Sequence, residues 1–324
     1  MNKEVQKPDR KDLYDGLTHV PVLADKVLEY LDIRPGPMRI VDGTVGGGGH
    51  SSLILEKNTE AELLGIDRDR EALARARKRL QKVSSHVHLV EGKFSAMGEC
   101  IAGLGWHSVD AVLLDLGVSS FQLDTAERGF SHRLDGPLDM RMDHSSGNTA
   151  SRILNNAPQE ELERIFREYG EMRDPGRLAR AILRARQEKP LSSTAELKEI
   201  CEKSFGQTRR GGPPVATLCF QSLRIAVNGE LDEISKGLKA AEKILRPGGR
   251  MVVISFHSLE DRIVKNFFRE RSASCLCPPG LPICICKHRP TLEILTRKPV
   301  TADENELETN RRAAPAKLRA ARKI

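Results

Sequence analysis

Long apolar runs, aromatic residues and a strong charge imbalance are all missing from this sequence. No stretch of about 18 apolar residues is present and the opening 17 residues are polar, so we expect neither a membrane span nor a secretory signal. With only 9 Phe, 3 Tyr and 1 Trp, the chain has too few aromatic rings to stack a run of single-stranded bases. We therefore expect a cytoplasmic protein with an aliphatic core.

Length and net charge further limit the number of domains and the class of partner. The 324 residues are enough for two domains of ordinary size. The 52 Lys and Arg exceed the 45 Asp and Glu, which gives a net charge of +7. This modest positive excess favours an anionic partner and argues against an acidic tail or a disordered spacer.

The 7 cysteines are an odd number, which argues against a disulfide framework. Cys100, Cys201 and Cys219 are scattered among apolar neighbours, so we interpret them as reduced thiols in the core. The other four form two C-x-C pairs near the C-terminus: Cys275, Cys277, Cys284 and Cys286. These pairs fit either a tetrahedral zinc site or reduced loop thiols, and from the sequence we assign no metal ligand.

Four short apolar runs in the first third are typical of buried parallel strands. They are nearly continuous in apolar residues and end in Gly or Asp, and they span residues 38–43, 62–67, 87–92 and 110–117. Residues 68–83 place Leu73, Ala76 and Leu80 at helical spacing, as in a helix that covers a sheet. The pattern predicts an α/β fold with a doubly wound parallel sheet.

The middle of the chain has a different character. Residues 125–215 contain loops and charged amphipathic helical segments, and strand-like runs stop there. We therefore predict an inserted all-helical domain over 125–215, within a sheet domain formed by 1–124 and 216–324.

The sheet is expected to resume after the insertion. The sequence predicts one long helix over 216–245, a buried strand at 251–257 and a further strand at 291–300. Residues 311–324 contain six Lys or Arg and no acidic residue. This segment fits either a solvated tail or a tail that faces nucleic-acid phosphates.

A glycine loop follows the first predicted strand, in the run DGTVGGGGHS over residues 42–51. Consecutive glycines let backbone N–H groups approach a ligand at the N-terminus of the next helix. Ser51 stands where the dinucleotide fingerprint G-x-G-x-x-G needs its third glycine, and no Gly-Lys-Ser/Thr follows. The loop therefore disfavours both a nicotinamide oxidoreductase and a nucleoside triphosphate site.

Two acidic residues close strands next to this loop. Asp67 comes 20 residues after Gly47, where a carboxylate accepts hydrogen bonds from both hydroxyls of a ribose. Asp115 closes the fourth predicted strand. Together they suit S-adenosylmethionine, whose positive sulfonium favours nearby carboxylates. The alternatives are a turn residue for Asp67 and a turn or helix-capping acid for Asp115.

Several long sequence words are similar to one family. VDGTVGGGGHS (41–51), DGPLDMRMD (135–143) and ISFHSLEDR (254–262), with the match running from about residue 19 to the C-terminus, resemble the bacterial ribosomal RNA small subunit methyltransferase H family. The resemblance implies a class I, Rossmann-like methyltransferase sheet with an inserted helical domain. It also implies methyl transfer from S-adenosylmethionine to N4 of a cytidine in 16S ribosomal RNA, near the decoding centre of the small ribosomal subunit. No DNA or membrane partner is implied.

The resemblance also carries site residues onto matching positions. The implied cofactor contacts are Gly48, Gly49, His50, Asp67, Phe94, Asp115 and Gln122. Three neighbours depart from the family pattern. Lys93 replaces an Asn, Phe121 replaces a Pro, and Leu218 replaces an Arg that is a candidate phosphate contact.

The implied chemistry is demanding because the lone pair of a cytosine amine is delocalised into the ring. The site must orient this amine and accept its protons while the methyl group moves in line. Many amino-methyltransferases use an Asp/Asn-Pro-Pro-aromatic turn here, whereas this chain has Asp115-Leu116-Gly117-Val118. We predict Asp115 and His257 as catalytic residues, and Phe130 or His257 as the residue that holds the base. A structural histidine is the alternative for His257.

Two further alternatives stay open. The acidic and basic residues of DGPLDMRMD form either an ion-pair network at a domain junction or a lid over the target nucleotide. The whole protein is either the methyltransferase or a non-catalytic small-subunit assembly factor that keeps a nucleoside as a structural ligand.

Overall fold

The structure is a computed structural model that describes residues 21–145, 147–206, 213–278 and 285–324. Its sheet has the order β3-β2-β1-β4-β5-β7-β6. The strands are β1 Arg39–Asp42, β2 Glu62–Asp67, β3 Val87–Glu91, β4 Val109–Asp115, β5 Leu245–Ser255, β6 Leu292–Ile294 and β7 Lys317–Lys323. The pairs among β1 to β5 are parallel, and β7 is antiparallel to both β5 and β6. This topology confirms the predicted doubly wound sheet. Cys284, one of the four cysteines near the C-terminus, lies outside the described residues.

Helices cover both faces of the sheet and build a separate cluster beside it. Those that pack on or near the sheet are α1 Ala24–Leu31, α2 Gly49–Lys57, α3 Arg70–Leu80, α4 Met97–Gly103, α5 Ser120–Asp124, α11 Glu230–Ile244, α12 Ser258–Ser272 and α13 Glu304–Thr309. The helical cluster contains α6 Ala150–Asn156, α7 Gln159–Glu168, α8 Pro175–Glu188, α9 Thr194–Phe205 and α10 Val215–Asn228. No helix in the described residues is both long and apolar enough to cross a membrane.

The central parallel strands β1, β2 and β4 are buried on both faces, whereas β3 at the edge of the sheet is only half-buried. Val41, Leu64 and Val112 belong to one core cluster, while Ile40 and Leu63 belong to the cluster on the opposite face. Successive strand residues point to opposite faces, so a strand covered on both sides must be apolar at nearly every position. This explains why the first four strands were visible in the sequence.

The predicted helix over 216–245 is wrong in one respect, because two helices occupy this stretch. Gly229 ends α10 with a backbone φ of 60°, in the left-handed region that glycine adopts at low cost. α11 then begins with three acidic residues in its first turn. The break lets α10 pack in the helical cluster and α11 pack on the sheet.

The helical cluster extends past the predicted boundary at residue 215. Val215, Cys219, Phe220 and Leu223 of α10 are buried in the same core as Leu162 of α7. The division into two domains stays a prediction, and this packing favours a boundary at Gly229.

The C-terminal segment differs most from expectation. Residues 317–323 form β7, between β5 and β6, so the predicted tail is wrong for this part of the chain. Leu318, Ala320 and Ala321 are buried, and Arg319 is buried against Asp261 with an Nε–Oδ1 distance of 2.6 Å. The sequence did not indicate this strand because its basic residues are typical of exposed segments. A charged side chain is buried only with a partner, and the sequence alone does not identify Asp261 as the partner of Arg319.

The further strand predicted at 291–300 is shorter than expected. Only Leu292–Ile294 pair continuously with β7. Val300 then forms a single bridge to Leu318, so the chain stays beside β7 without a second ladder.

Candidate active site

The glycine loop connects β1 to α2 at the carboxyl edge of the parallel strands. Gly46 and Gly48 have φ of 52° and 80°, so this turn depends on left-handed glycines. A Cβ at Gly49 would come within 2.9 Å of Pro21, and one at Gly48 within 3.1 Å of Leu80. Gly47 faces open space, because a Cβ there would meet nothing within 4 Å. The loop is therefore packed at Gly48 and Gly49 and open at Gly47.

Asp67 at the end of β2 is held by two backbone N–H groups. Its carboxylate accepts from Gly46 N at 2.9 Å and from Asp69 N at 2.9 Å. Burial raises the pKa of Asp67, and the two N–H groups oppose that shift. An ionised carboxylate has about four acceptor positions, so capacity for two ribose hydroxyls remains.

Asp115 and His50 form a second polar group at this edge. His50 Nε2 lies 3.6 Å from Asp115 Oδ2, and the Asp115 backbone N–H donates to Thr44 Oγ1 at 2.6 Å. Asp115 Oδ1 and His50 Nε2 are both buried polar atoms that lack a hydrogen-bond partner in the described part of the chain. Such atoms are rare in folded proteins and mark a place where a ligand can supply the partner.

Asp42 adds a further carboxylate beneath this pair. It is fully buried and accepts from Ser51 Oγ at 2.7 Å and Thr44 N at 3.2 Å. Burial raises the pKa of Asp42 to about 6, and nearby Asp115 contributes in the same direction. The edge is therefore rich in negative charge.

Phe94 follows β3 and forms an apolar wall near the loop. Its ring lies so close to Gly237 on α11 that a Cβ there would come within 2.1 Å of it. A Cβ at Gly43 would also come within 3.0 Å of Phe94. Two glycines thus make room for one aromatic ring.

Gln122 is fixed by a buried network at the start of α3. Its Nε2 donates to Asp69 Oδ2 at 2.8 Å, and its Oε1 accepts from Ser119 N at 3.0 Å. Arg128 Nη1 donates to the same Asp69 oxygen at 2.8 Å. Burial alone would raise the pKa of Asp69, but the bonds from Gln122 and Arg128 bring it below its usual value. Asp69 therefore links α3 to α5.

His257 follows β5 at the same edge and is held by Glu260. His257 Nε2 lies 3.1 Å from Glu260 Oε1, and the other carboxylate oxygen accepts from Phe256 N at 2.7 Å. Arg224 pairs with both oxygens of Glu230 at 2.9 Å and lies 3.9 Å from Glu260. Burial alone would raise the pKa of Glu260, but His257 and Arg224 lower it.

The residues of DGPLDMRMD form a hydrogen-bonded network, as one of the two alternatives predicts. Arg141 donates two bonds to Asp139, at 2.9 and 2.8 Å. Asn228 at the end of α10 accepts from Met142 N and donates to Met140 O, both at 2.8 Å. These bonds tie the segment to the α10–α11 junction.

Phe130 lies in the helical core rather than at the site. The side chain is only 5% exposed and packs in the cluster of α6 to α10. A ring buried there cannot stack on a base, so His257 is the remaining candidate of the two.

Comparison with known proteins places these features in a family. The sequence profile of the MraW methylase family matches residues 16–324. Ribosomal RNA small subunit methyltransferase H of Syntrophotalea carbinolica is 51% identical over 309 residues, covering 94% of this chain and 98% of that protein. The protein of that name from Heliobacterium modesticaldum is 50% identical over 310 residues, covering 94% and 98%. The chain belongs to the MraW methylase family.

Among solved structures, a putative rRNA-methylase from Clostridium thermocellum is similar with a TM-score of 0.45 and 13% identity, covering 94% of this chain and 100% of that chain. The predicted family resemblance is confirmed by the profile match. This member of the MraW methylase family is a methyltransferase with a class I, Rossmann-like sheet, and its cofactor is S-adenosylmethionine.

The residues present fit that cofactor. The acidic edge matches a positive sulfonium, Asp67 retains acceptor capacity for a ribose, and Asp115 Oδ1 is a buried acceptor without a partner in the described residues. The individual contacts carried over from the family stay predictions.

Sequence reasoning missed several residues of this edge. Asp69 and Arg128 form a buried ion pair, and Arg224 joins Glu230 to Glu260. Asp69 carried a signal, since it is an Asp directly before a charged amphipathic helix that it caps. The arginines carried none, because their partners lie far away in the sequence or beyond a helix break.

Proposed function

We propose that this methyltransferase transfers a methyl group from S-adenosylmethionine to N4 of a cytidine in the 16S ribosomal RNA of the small ribosomal subunit, in the decoding region. The proposal rests on the names of relatives about 50% identical to this chain and on its family. The observation that carries it is the acceptor oxygen Oδ1 of Asp115, buried without a partner in the described residues at the carboxyl end of β4. An exocyclic amine has hydrogens to donate to such an acceptor.

Three groups of this chain would hold the cofactor. Asp67 would accept from the ribose hydroxyls, Phe94 would contact the adenine, and the open face at Gly47 would admit the ligand close to the backbone. When bound, S-adenosylmethionine supplies a methyl group on a positively charged sulfur. The carboxylates of Asp42 and Asp115 stabilise positive charge at this edge.

Asp115 is also placed to act on the target amine. The bond from its backbone N–H to Thr44 Oγ1 fixes the main chain at the end of β4, and His50 Nε2 lies 3.6 Å from the carboxylate oxygen Oδ2. A carboxylate at this position would orient the amine and accept its proton as the nitrogen bonds to the methyl carbon and the methyl–sulfur bond breaks. His50 Nε2 lies beside Asp115 Oδ2. This ring nitrogen is therefore positioned to interact with the proton that the carboxylate accepts from the amine.

His257 would hold the target base. Its side chain is about one-tenth exposed, and its Nε2 lies 3.1 Å from Glu260 Oε1. A Cβ at Gly117 would lie 3.5 Å from the ring of Phe256 and 3.9 Å from Glu260, so the turn after β4 packs against the turn after β5. This packing places Asp115 and His257 on adjoining turns. Stacking on the imidazole would contribute about 1 to 3 kcal/mol.

The helical cluster is our candidate for RNA recognition, as predicted for residues 125–215. The α10–α11 junction joins that cluster to the catalytic edge through Arg224 and through Arg68, which donates to Asn228 O at 3.1 Å. The net charge of +7 supports an anionic substrate.

A methyl-transfer assay tests the proposed function. Small subunits from cells that lack this gene are incubated with the purified protein and labelled S-adenosylmethionine, and the RNA is digested to nucleosides. We expect the label in N4-methylcytidine, with a rate that is lower by ~100-fold or more for Asp115→Asn. Label in 5-methylcytidine, or in no nucleoside at all, would contradict the proposal. The second outcome would favour the assembly-factor alternative.

A further inference from the structure

Three cysteines come together in the segment between α12 and β6. The sulfur atoms of Cys275, Cys277 and Cys286 all lie within 4.8 Å of one another. Cys275 Sγ and Cys286 Sγ are 3.8 Å apart, well beyond the roughly 2.04 Å of a disulfide bond. Eleven positions of sequence separate these two residues, so the chain folds back to bring the sulfurs together.

The spacing of the sulfurs matches a tetrahedral metal site. Zinc binds thiolate at about 2.3 Å, and the edge of a tetrahedron with that radius is about 3.8 Å. The Cys275–Cys286 separation equals that edge. The backbone N–H of Leu276 donates to Cys286 Sγ and that of Cys277 to Cys275 Sγ, both at 3.4 Å. Backbone N–H contacts of this kind orient the sulfur ligands of metal sites.

Two large apolar side chains in the described part of this segment lie largely in solvent, since Leu276 is 45% exposed and Ile285 is 73% exposed. The flanks of the segment are anchored, since Thr291 N donates to Arg271 O at 2.8 Å and His288 Nε2 lies 3.1 Å from Glu270 O. Where apolar burial contributes little, a cross-link stabilises one conformation.

We propose that Cys275, Cys277 and Cys286 bind one zinc ion, which fixes the segment between α12 and β6. Three thiolates leave one position of the tetrahedron to a further ligand. The sequence places Cys284 two residues before Cys286, outside the described residues, and the proposal commits to the three thiols alone.

We assign this zinc a structural role, because its site lies at the amino ends of the parallel strands and the candidate active site lies at their carboxyl ends. α12 leaves the carboxyl end of β5 and returns along the sheet, so its C-terminus lies at the amino ends of the parallel strands. β6 starts there, since it is antiparallel to β7, which is antiparallel to β5. Asp115 and His257 lie at the carboxyl ends.

Metal analysis of the full-length protein tests the proposal. Protein purified without chelator is expected to contain about one zinc per chain by mass spectrometry of the metal. A triple serine variant at the three positions should contain at least about tenfold less, whereas Cys100→Ser, which changes a half-buried thiol elsewhere, should match the parent. Cobalt exchanged into the parent should give the visible bands of a tetrahedral thiolate site.

Alkylation of the parent protein keeps the test valid if the triple variant does not fold. Peptide mass spectrometry should show the three thiols protected from iodoacetamide until a strong chelator is added. Background zinc in the parent, equal zinc in parent and triple variant, or full alkylation without chelator would overturn the proposal in favour of reduced loop thiols.

Discussion

Two histidine–carboxylate pairs lie at the same edge of the sheet, and their surroundings differ in charge. His50 and Asp115 lie 3.6 Å apart beside a second buried acid, Asp42, and in the described part of the chain no arginine or lysine is within ion-pair distance of Asp115. His257 and Glu260 lie 3.1 Å apart, with Arg224 at 3.9 Å from the carboxylate. The His50–Asp115 pair therefore lies in acidic surroundings, whereas Arg224 lies near the negative charge of Glu260 in the second pair.

We interpret this difference in charge as a difference in role: Asp115 is available to a ligand, whereas Glu260 stabilises the fold. A buried acid beside another acid raises the energy of the empty site and favours a cationic ligand or an amine donor. Glu260 lies near an arginine and a histidine, and its Oε2 accepts from two backbone N–H groups, although Oε1 makes no hydrogen bond within the described residues. We therefore expect a change at Asp115 to affect catalysis and a change at Glu260 to affect stability, while His257 remains the residue proposed to hold the base.

Removal of the Glu260 charge should have the largest effect on stability. Glu260→Gln leaves Arg224 with only Glu230 as a partner and weakens the hold on His257. Breaking a buried ion pair of this kind costs about 3 to 5 kcal/mol in the free energy of unfolding. Urea denaturation measures it, with Glu270→Gln on an exposed part of α12 as the control. Equal midpoints for the two variants would remove the structural role of Glu260.

Asp42, beside the His50–Asp115 pair, should make the free energy of unfolding depend on pH. Its pKa is raised from 3.8 to about 6, so protonation stabilises the fold fully below pH 3.8 and this contribution is lost as the pH rises through about 6. The shift corresponds to about 3 kcal/mol. Between pH 4 and 7 the parent should therefore lose about this much free energy of unfolding relative to Asp42→Asn. A difference that stays constant with pH would contradict the acidic character of this pair.

Asp115→Asn tests catalysis apart from binding. The variant keeps the shape and one acceptor oxygen but loses the charge and presents an amide donor to the target amine. We expect single-turnover methyl transfer at saturating cofactor to fall by ~100-fold or more, a loss of about 2.7 kcal/mol, without loss of stability.

The control for this variant is Asp110→Asn, at the start of the same strand β4. Near-parental turnover of Asp115→Asn at saturating cofactor would confine Asp115 to cofactor binding. The catalytic role would then pass to His257.

Asp67→Ala should weaken cofactor affinity while the fold survives. The loss of hydrogen bonds to a charged acceptor is expected to cost about 1.5 to 3 kcal/mol. Calorimetric titration with S-adenosylmethionine measures it, and Glu62→Ala, at the start of the same strand β2, is the control. If Asp67→Ala and the parent bind the cofactor equally, the ribose assignment is wrong.

The basic C-terminal residues should give the smallest effects, and the structure now divides them. Arg311 is exposed, so Arg311→Ala should lower the salt dependence of substrate binding by about one phosphate contact and leave stability unchanged. Arg319 is buried against Asp261, so Arg319→Ala should lower the unfolding midpoint instead. If both variants changed only the salt dependence, the assignment of β7 would be in question.

Sequence patterns identified the elements whose environment is uniform. Strands β1, β2 and β4 are largely apolar on both faces, and Asp67 and Asp115 stand where two of these runs end, so strand ends and candidate acids were found together. Strand β7 was missed because its charges are compensated by residues elsewhere in the chain, such as Asp261. A pattern of residues along one segment cannot reveal a partner that only the tertiary fold supplies.

The second histidine pair was only half visible for the same reason. His257 stood out after a buried strand, but Arg224 comes near Glu260 only because Gly229 breaks the helix between α10 and α11. The Asn-Gly at positions 228–229 was the available signal, since this pair is typical of a left-handed helix end.

The most direct test of the central claim is a map of methylated cytidines in 16S ribosomal RNA from cells with and without this gene. One N4-methylated cytidine in the decoding region is expected to lose that methyl group when the gene is deleted. The parent gene should restore the methyl group, and the Asp115→Asn gene should not. An unchanged set of N4-methylated cytidines in the deletion strain would contradict the proposed function.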